Sequence, residues 1–115
     1  MANQFQVLFP QTTLTASSAV VCTLPTLPTS LFLKNGRVVL VNTTANLRNA
    51  SLHADVAATA TSAANAFALQ VAVPGYAQVQ VDIPQIPAGY TIRALADAAA
   101  AINIWPTDGF FVVPG

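Results

Sequence analysis

Residues 77–83 read Ala77-Gln78-Val79-Gln80-Val81-Asp82-Ile83, with Val79, Val81 and Ile83 on one parity and Gln78, Gln80 and Asp82 on the other. Successive side chains of an extended strand point to opposite faces, so this stretch is a strand with one face buried and one in water. The same period recurs from Asn49 to Val56, where Ala50, Leu52, Ala54 and Val56 are expected inward and Asn49, Ser51, His53 and Asp55 outward. Tyr90, Ile92, Ala94 and Ala96 oppose Thr91, Arg93, Leu95 and Asp97, with Leu95 the one misfit. Ile102 and Ile104 flank Asn103 in the next segment, and the two segments are expected to pair as a hairpin across Asp97 to Ala101.

Leu31 to Asn42 carries Asn35-Gly36 between two apolar runs, a strong short-range hairpin signal because both residues tolerate the left-handed backbone of a tight turn. Arg37 to Asn42 is apolar on both parities, which predicts a strand covered on both faces. The eight prolines fall between the proposed strands or at their ends. Val56 to Leu69 is alanine-rich but interrupted by Thr59, Thr61, Ser62 and Asn65, and reads as a loop with one helical turn. No internal repeat interrupts this pattern, and 115 residues make one domain. The expected fold is all-β, an antiparallel sandwich of immunoglobulin-like or jelly-roll-like type with little or no helix.

Charge is the unusual number. Four Lys and Arg, four Asp and no Glu amount to 7% of the chain, against about 25% in ordinary domains. A folded protein of this mass exposes about 6,000 Å², which eight charges cover thinly. Such a surface is either solubilised by Thr, Asn, Gln and Ser alone or covered by neighbours. Lys34, Arg37, Arg48 and Arg93 are scattered and form no basic stripe for nucleic acid. No apolar run approaches the roughly 18 residues of a membrane span. Residues 1–6 lack the basic segment and apolar core of a secretory signal, so synthesis in the cytoplasm without export is expected.

Catalytic signatures are sparse. His53 is the single histidine, and its spacing from Asp55 on an outward strand face reads as solvated polarity. Four dispersed Asp give no paired-carboxylate site, one His and one Cys give no metal set, and the glycines never cluster into a phosphate loop. No cofactor is expected. Cys22, on the apolar parity of Leu14, Ala16, Val20 and Leu24, reads as a buried structural thiol with no basic neighbour to activate it. The sequons at Asn42 and Asn49 read as coincidence in a chain without an export signal.

The aromatic residues say more. Phe5 and Phe9, with Trp105, Phe110 and Phe111, place five of nine aromatics in the terminal segments. These five are the candidate partner contacts, and residues 1–10 are a candidate N-terminal arm exchanged with neighbouring subunits. Tyr90, following Pro87-Ala88-Gly89, suits either a sandwich-corner tyrosine or an ordinary core position.

The stretch from Val79 to Trp105, VQVDIPQIPAGYTIRALADAAAAINIW, resembles the end of immunoglobulin-like and fibronectin type III-like sandwiches, where a Pro-x-Gly-Tyr corner opens the penultimate strand. With its alanine-rich strands and near-absence of charge it is also similar to small accessory virion proteins of tailed bacteriophages. That resemblance implies a non-enzymatic structural protein of the virion, decorating the capsid or associated with the head. Its partners would be capsid proteins or further copies of itself in a symmetric homo-oligomer, with neither nucleic acid nor membrane. A fibre or tail component, and a carbohydrate-binding or adhesive sandwich using Trp105 and Tyr76 as platforms, are the alternatives.

Overall fold

The computed structural model describes residues 9–24, 31–56 and 61–112, which form eight strands and one short 3₁₀ turn, Ala63–Asn65. β1 (Thr12–Thr13), β8 (Ile102–Val112), β3 (Phe32–Asn42) and β6 (Gln78–Ile83) lie side by side in that order in the first sheet. β2 (Ala19–Thr23), β7 (Tyr90–Ala96), β4 (Arg48–Val56) and β5 (Ala66–Val73) form the second. Every neighbouring pair is antiparallel. β1 pairs with β8, β2 with β7, β3 with β6 and β4 with β5. The chain is thus one long antiparallel ribbon, doubled back between β4 and β5, then rolled up so that β3 meets β8 and β4 meets β7. An eight-stranded ribbon rolled into two sheets is the jelly roll.

Residues 78–83 follow their alternation throughout, whereas Ser51 and Thr91, expected outward, are buried. Ile83 is buried, Val79 and Val81 pack against the core, and Gln78, Gln80 and Asp82 are exposed. Into the space between the sheets the first sheet sends branched side chains, among them Leu33, Val38, Leu40, Ile102 and Ile104. The second contributes smaller ones, Ala50, Ala94, Ala96 and Cys22, beside Leu52 and Ile92. Mixing large and small residues in this way lets two sheets approach without voids.

Asn42 is the most deeply buried polar side chain among the described residues, 1% exposed. Its Nδ2 donates to the carbonyls of Asn46 (2.7 Å) and Val73 (2.9 Å), while Oδ1 accepts from the Thr44 amide (2.8 Å) and hydroxyl (2.7 Å). All four hydrogen-bonding positions of the amide are used, which is what makes its burial tolerable. The side chain thereby shapes the β3–β4 crossover and ties it to the end of β5. Gly75 belongs to the same corner, because a Cβ there would collide with the Ala45 carbonyl.

Several expectations are corrected. Asn35-Gly36 is not a hairpin turn. β3 runs straight through it as a bulge, with Asn35 in the left-handed region at φ 56°. The left-handed conformation that suits a tight turn is used instead to hold one extra residue opposite β8. Residues 37–42 are buried on one face only: Val38 and Leu40 are inside, whereas Val39 and Val41 are half-buried on the outer face. β7 and β8 form no hairpin, because residues 97–101 carry the chain from the second sheet to the first. Small side chains let this crossover lie against the end of the sandwich, where the Ala96 amide donates to Thr15, Asp97 to Asn49 and Ala100 to Leu14. Residues 66–69, expected in a loop, begin β5, where pairing with β4 overrides the alanines' helix propensity. Pro106 lies inside β8 rather than at its end, at a bulge where a missing amide hydrogen is tolerated. Val56, expected inward, is 51% exposed at the end of β4.

Cys22 is buried as expected, though by a different route. A bulge between Val20 and Cys22 turns Val20 outward and brings Val21 and Cys22 inside together. Burial pushes the thiol up from 9.0 to about 11.

Candidate functional site

The outer face of the first sheet is assembled by two bulges. On β3, Lys34 is opposite Phe110 and Arg37 is opposite Asp108, so three steps on β3 match two on β8. On β8, Asp108 is opposite Arg37 and Trp105 is opposite Val39, so three steps there match two on β3. In a regular strand, residues three apart point to opposite faces. Each bulge cancels that inversion and places Lys34 with Arg37, and Trp105 with Asp108, on the same face.

Successive rows across this face are Lys34 with Phe110; Arg37 between Asp108 and Asp82; Val39 between Trp105 and Gln80; and Val41 between Asn103 and Gln78. Thr13 of β1 extends the last row through its hydroxyl, which donates to Asn103 Oδ1 at 2.8 Å. Trp105 is 48% exposed. Arg37 Nε donates to Asp82 Oδ1 at 2.9 Å, an ion pair open to solvent and therefore worth little stability by itself. Lys34, Asn35, Arg37, Asp82, Gln85 and Asp108 line a groove of about 480 Å³ at this end of the face.

The five candidate contacts separate. Trp105 and Phe110 lie on the outer face, whereas Phe111, opposite Leu33, packs against the core. Phe9 is 4% exposed and is a core residue of its own domain. Phe5, like most of the proposed arm, lies outside the described residues. Tyr90 is half-buried against the core at the head of β7. Tyr76 is 75% exposed in the turn before β6, where its amide donates to the Thr44 carbonyl, and so stands rows away from Trp105. Neither the grouping of Lys34 with Arg37 nor that of Trp105 with Asp108 was foreseen from strict alternation. The available signals were Asn35-Gly36 and Pro106, both residue types that bulges accept.

On the second sheet, the solvated face expected for His53 is corrected. His53 is 4% exposed, because residues 61–65 fold back over it. Its Nδ1 lies 3.0 Å from the Ser62 carbonyl and 2.9 Å from Asn65 Oδ1. Both partners accept, so Nδ1 carries the proton. Asn65 Nδ2 in turn donates to Asp55 Oδ2 at 3.2 Å. The imidazole fastens a loop to a sheet. Among the described residues no group of three or more His, Cys, Asp or Glu could hold a metal ion.

Comparison with family models, with curated proteins and with solved structures finds no match in any of the three.

Proposed function

We propose that this chain is a non-enzymatic structural protein of a bacteriophage virion, a capsid-decorating or head-associated subunit present in many symmetric copies. The observation that carries the reading is the outer face of the first sheet, where Trp105, Val39 and Val41 form an apolar strip between uncharged Gln80, Gln78 and Asn103. Strips of this kind at the centre of an interface, anchored by a tryptophan and poor in charge, are what subunit contacts use. Eight charged residues on a surface of 6135 Å² leave little to oppose association. A jelly roll is one of the folds from which capsid proteins are built, and the resemblance of roughly the last forty residues to accessory virion proteins of tailed phages supports the same assignment. The occupant of the strip is a neighbouring subunit, either another copy or a capsid protein.

Light scattering at native concentration tests this directly, together with co-sedimentation of the chain with virus particles from the same source. Multimers or particle-bound protein, both lost in Trp105→Asp with the fold intact, are expected. A monomer of 11.9 kDa that never sediments with particles overturns the reading.

A further inference from the structure

Lys34, Arg37, Asp82 and Asp108 are four of the eight charged side chains in the chain, and all four line the same groove. We propose that this groove is a saccharide-binding site, taking a neutral pyranose unit of a glycan. The inference goes beyond assembly and does not depend on it.

The charges select the ligand class. Two cations and two carboxylates sum to zero, so neither an anion nor a cation is drawn in strongly: a phosphate would meet Asp82 and Asp108, and a basic peptide would meet Lys34 and Arg37. Among the described residues the groove gathers no set of three or more carboxylate, imidazole or thiol ligands for a metal ion. A polyhydroxyl ligand has the opposite requirement, since each hydroxyl both donates and accepts. Asp82 and Asp108 accept, Lys34 and Arg37 donate, and Asn35 and Gln85 do both. The Arg37–Asp82 pair engages only Nε and Oδ1, leaving the terminal guanidinium nitrogens and the second carboxylate oxygen with bonding capacity toward neighbouring hydroxyls.

Shape and apolar contacts agree. About 480 Å³ is within the ordinary range of small-molecule sites, roughly 300–1,000 Å³. Phe110, opposite Lys34, and Trp105, one row beyond Arg37 and Asp108, stand on the same face outside the groove's own lining, where a second sugar unit of a longer glycan would reach them. The electron-rich face of an aromatic ring attracts the slightly positive C–H groups of a pyranose, and such rings supply area without much loss of conformational entropy. The polar groups are carried mainly on paired strands and held by bulges, so little ordering is required on binding.

The test is titration of the whole chain with maltotriose, cellotriose, chitotriose, mannotriose and lactose, with 3′-sialyllactose and inorganic phosphate as charged probes. Trp105 fluorescence and calorimetry are the readouts. Saturable binding of at least one neutral sugar is expected, weakened ten-fold or more by Asp108→Asn and by Lys34→Gln at unchanged melting temperature. Gln78→Ala, on the same face but outside the groove, should leave it unaltered. The proposal is overturned if none of the neutral sugars binds, if only the charged probes do, or if binding persists undiminished in both groove variants. Calorimetry on the groove variants reads sugar binding at residues outside the Trp105 strip, and light scattering of Trp105→Asp reads assembly, so failure of either leaves the other standing.

Discussion

Asn42 and Val73 join the two sheets through one bond: Asn42 Nδ2, at the end of β3 in the first sheet, donates to the carbonyl of Val73, the last residue of β5 in the second, at 2.9 Å. The same amide group fills its three other positions with Asn46 and Thr44. Removing it strands the buried Val73 carbonyl as well as deleting the other bonds. Asn42→Ala is therefore expected to cost about 3 kcal/mol of unfolding free energy, and Asn42→Asp a comparable amount by burying a charge. Urea denaturation of the purified variants measures this, and a midpoint like that of the parent protein refutes the assignment.

Asn35 tests the bulge. A β-branched residue at φ 56° costs roughly 1–2 kcal/mol, so Asn35→Val should destabilise by that amount while Asn35→Gly stays close to the parent protein. Equal stability of the two variants would mean that the backbone there is not left-handed.

The thiol of Cys22 gives a pH dependence. Burial raises it from 9.0 to about 11, so as pH climbs the unfolded chain loses its proton first. The folded state then binds more protons than the unfolded one, and stability falls between pH 9 and 11, by no more than about 3 kcal/mol. Cys22→Ala should remove this alkaline decline in denaturation curves recorded from pH 8 to 11. In the native protein at pH 8, Ellman's reagent should react slowly with the thiol, and rapidly once urea unfolds the chain.

His53→Ala removes the fastening between β4 and residues 61–65 and leaves the Ser62 carbonyl and Asn65 Oδ1 without it, at a cost of about 1–3 kcal/mol. Particle association, or any other activity of the chain, should persist wherever the variant is folded. A folded variant that loses activity would mark the imidazole as functional rather than structural.

The arm is tested by two deletions, because Phe9 belongs to the core. Removing residues 2–8 should preserve the unfolding transition and reduce assembly measured by light scattering. Removing residues 2–9 should also lower the melting temperature, since it takes a buried aromatic side chain with it. Normal assembly after the shorter deletion eliminates the arm.

What the sequence alone determined was local. Alternation in residues 78–83 identifies a strand and its inward side, and a lone thiol among apolar residues identifies a buried position, both as the structure has them. Each of these follows from side-chain chemistry within a few residues. Everything else depends on which distant segments pair. Asn35-Gly36 can serve a hairpin turn or a bulge, and the pairing of residues 32–34 with 110–112 selects the bulge. The alternating pattern of residues 90–96 fits a hairpin or a crossover equally well, and backbone bonds from Ala96 and Ala100 to Thr15 and Leu14 select the crossover. His53 has the parity of a solvated face and is buried because Ser62 and Asn65 close over it. The physical reason is common to all three: parity records which way a side chain points relative to its own strand, whereas register, sheet membership and burial are set by what other parts of the chain place opposite it.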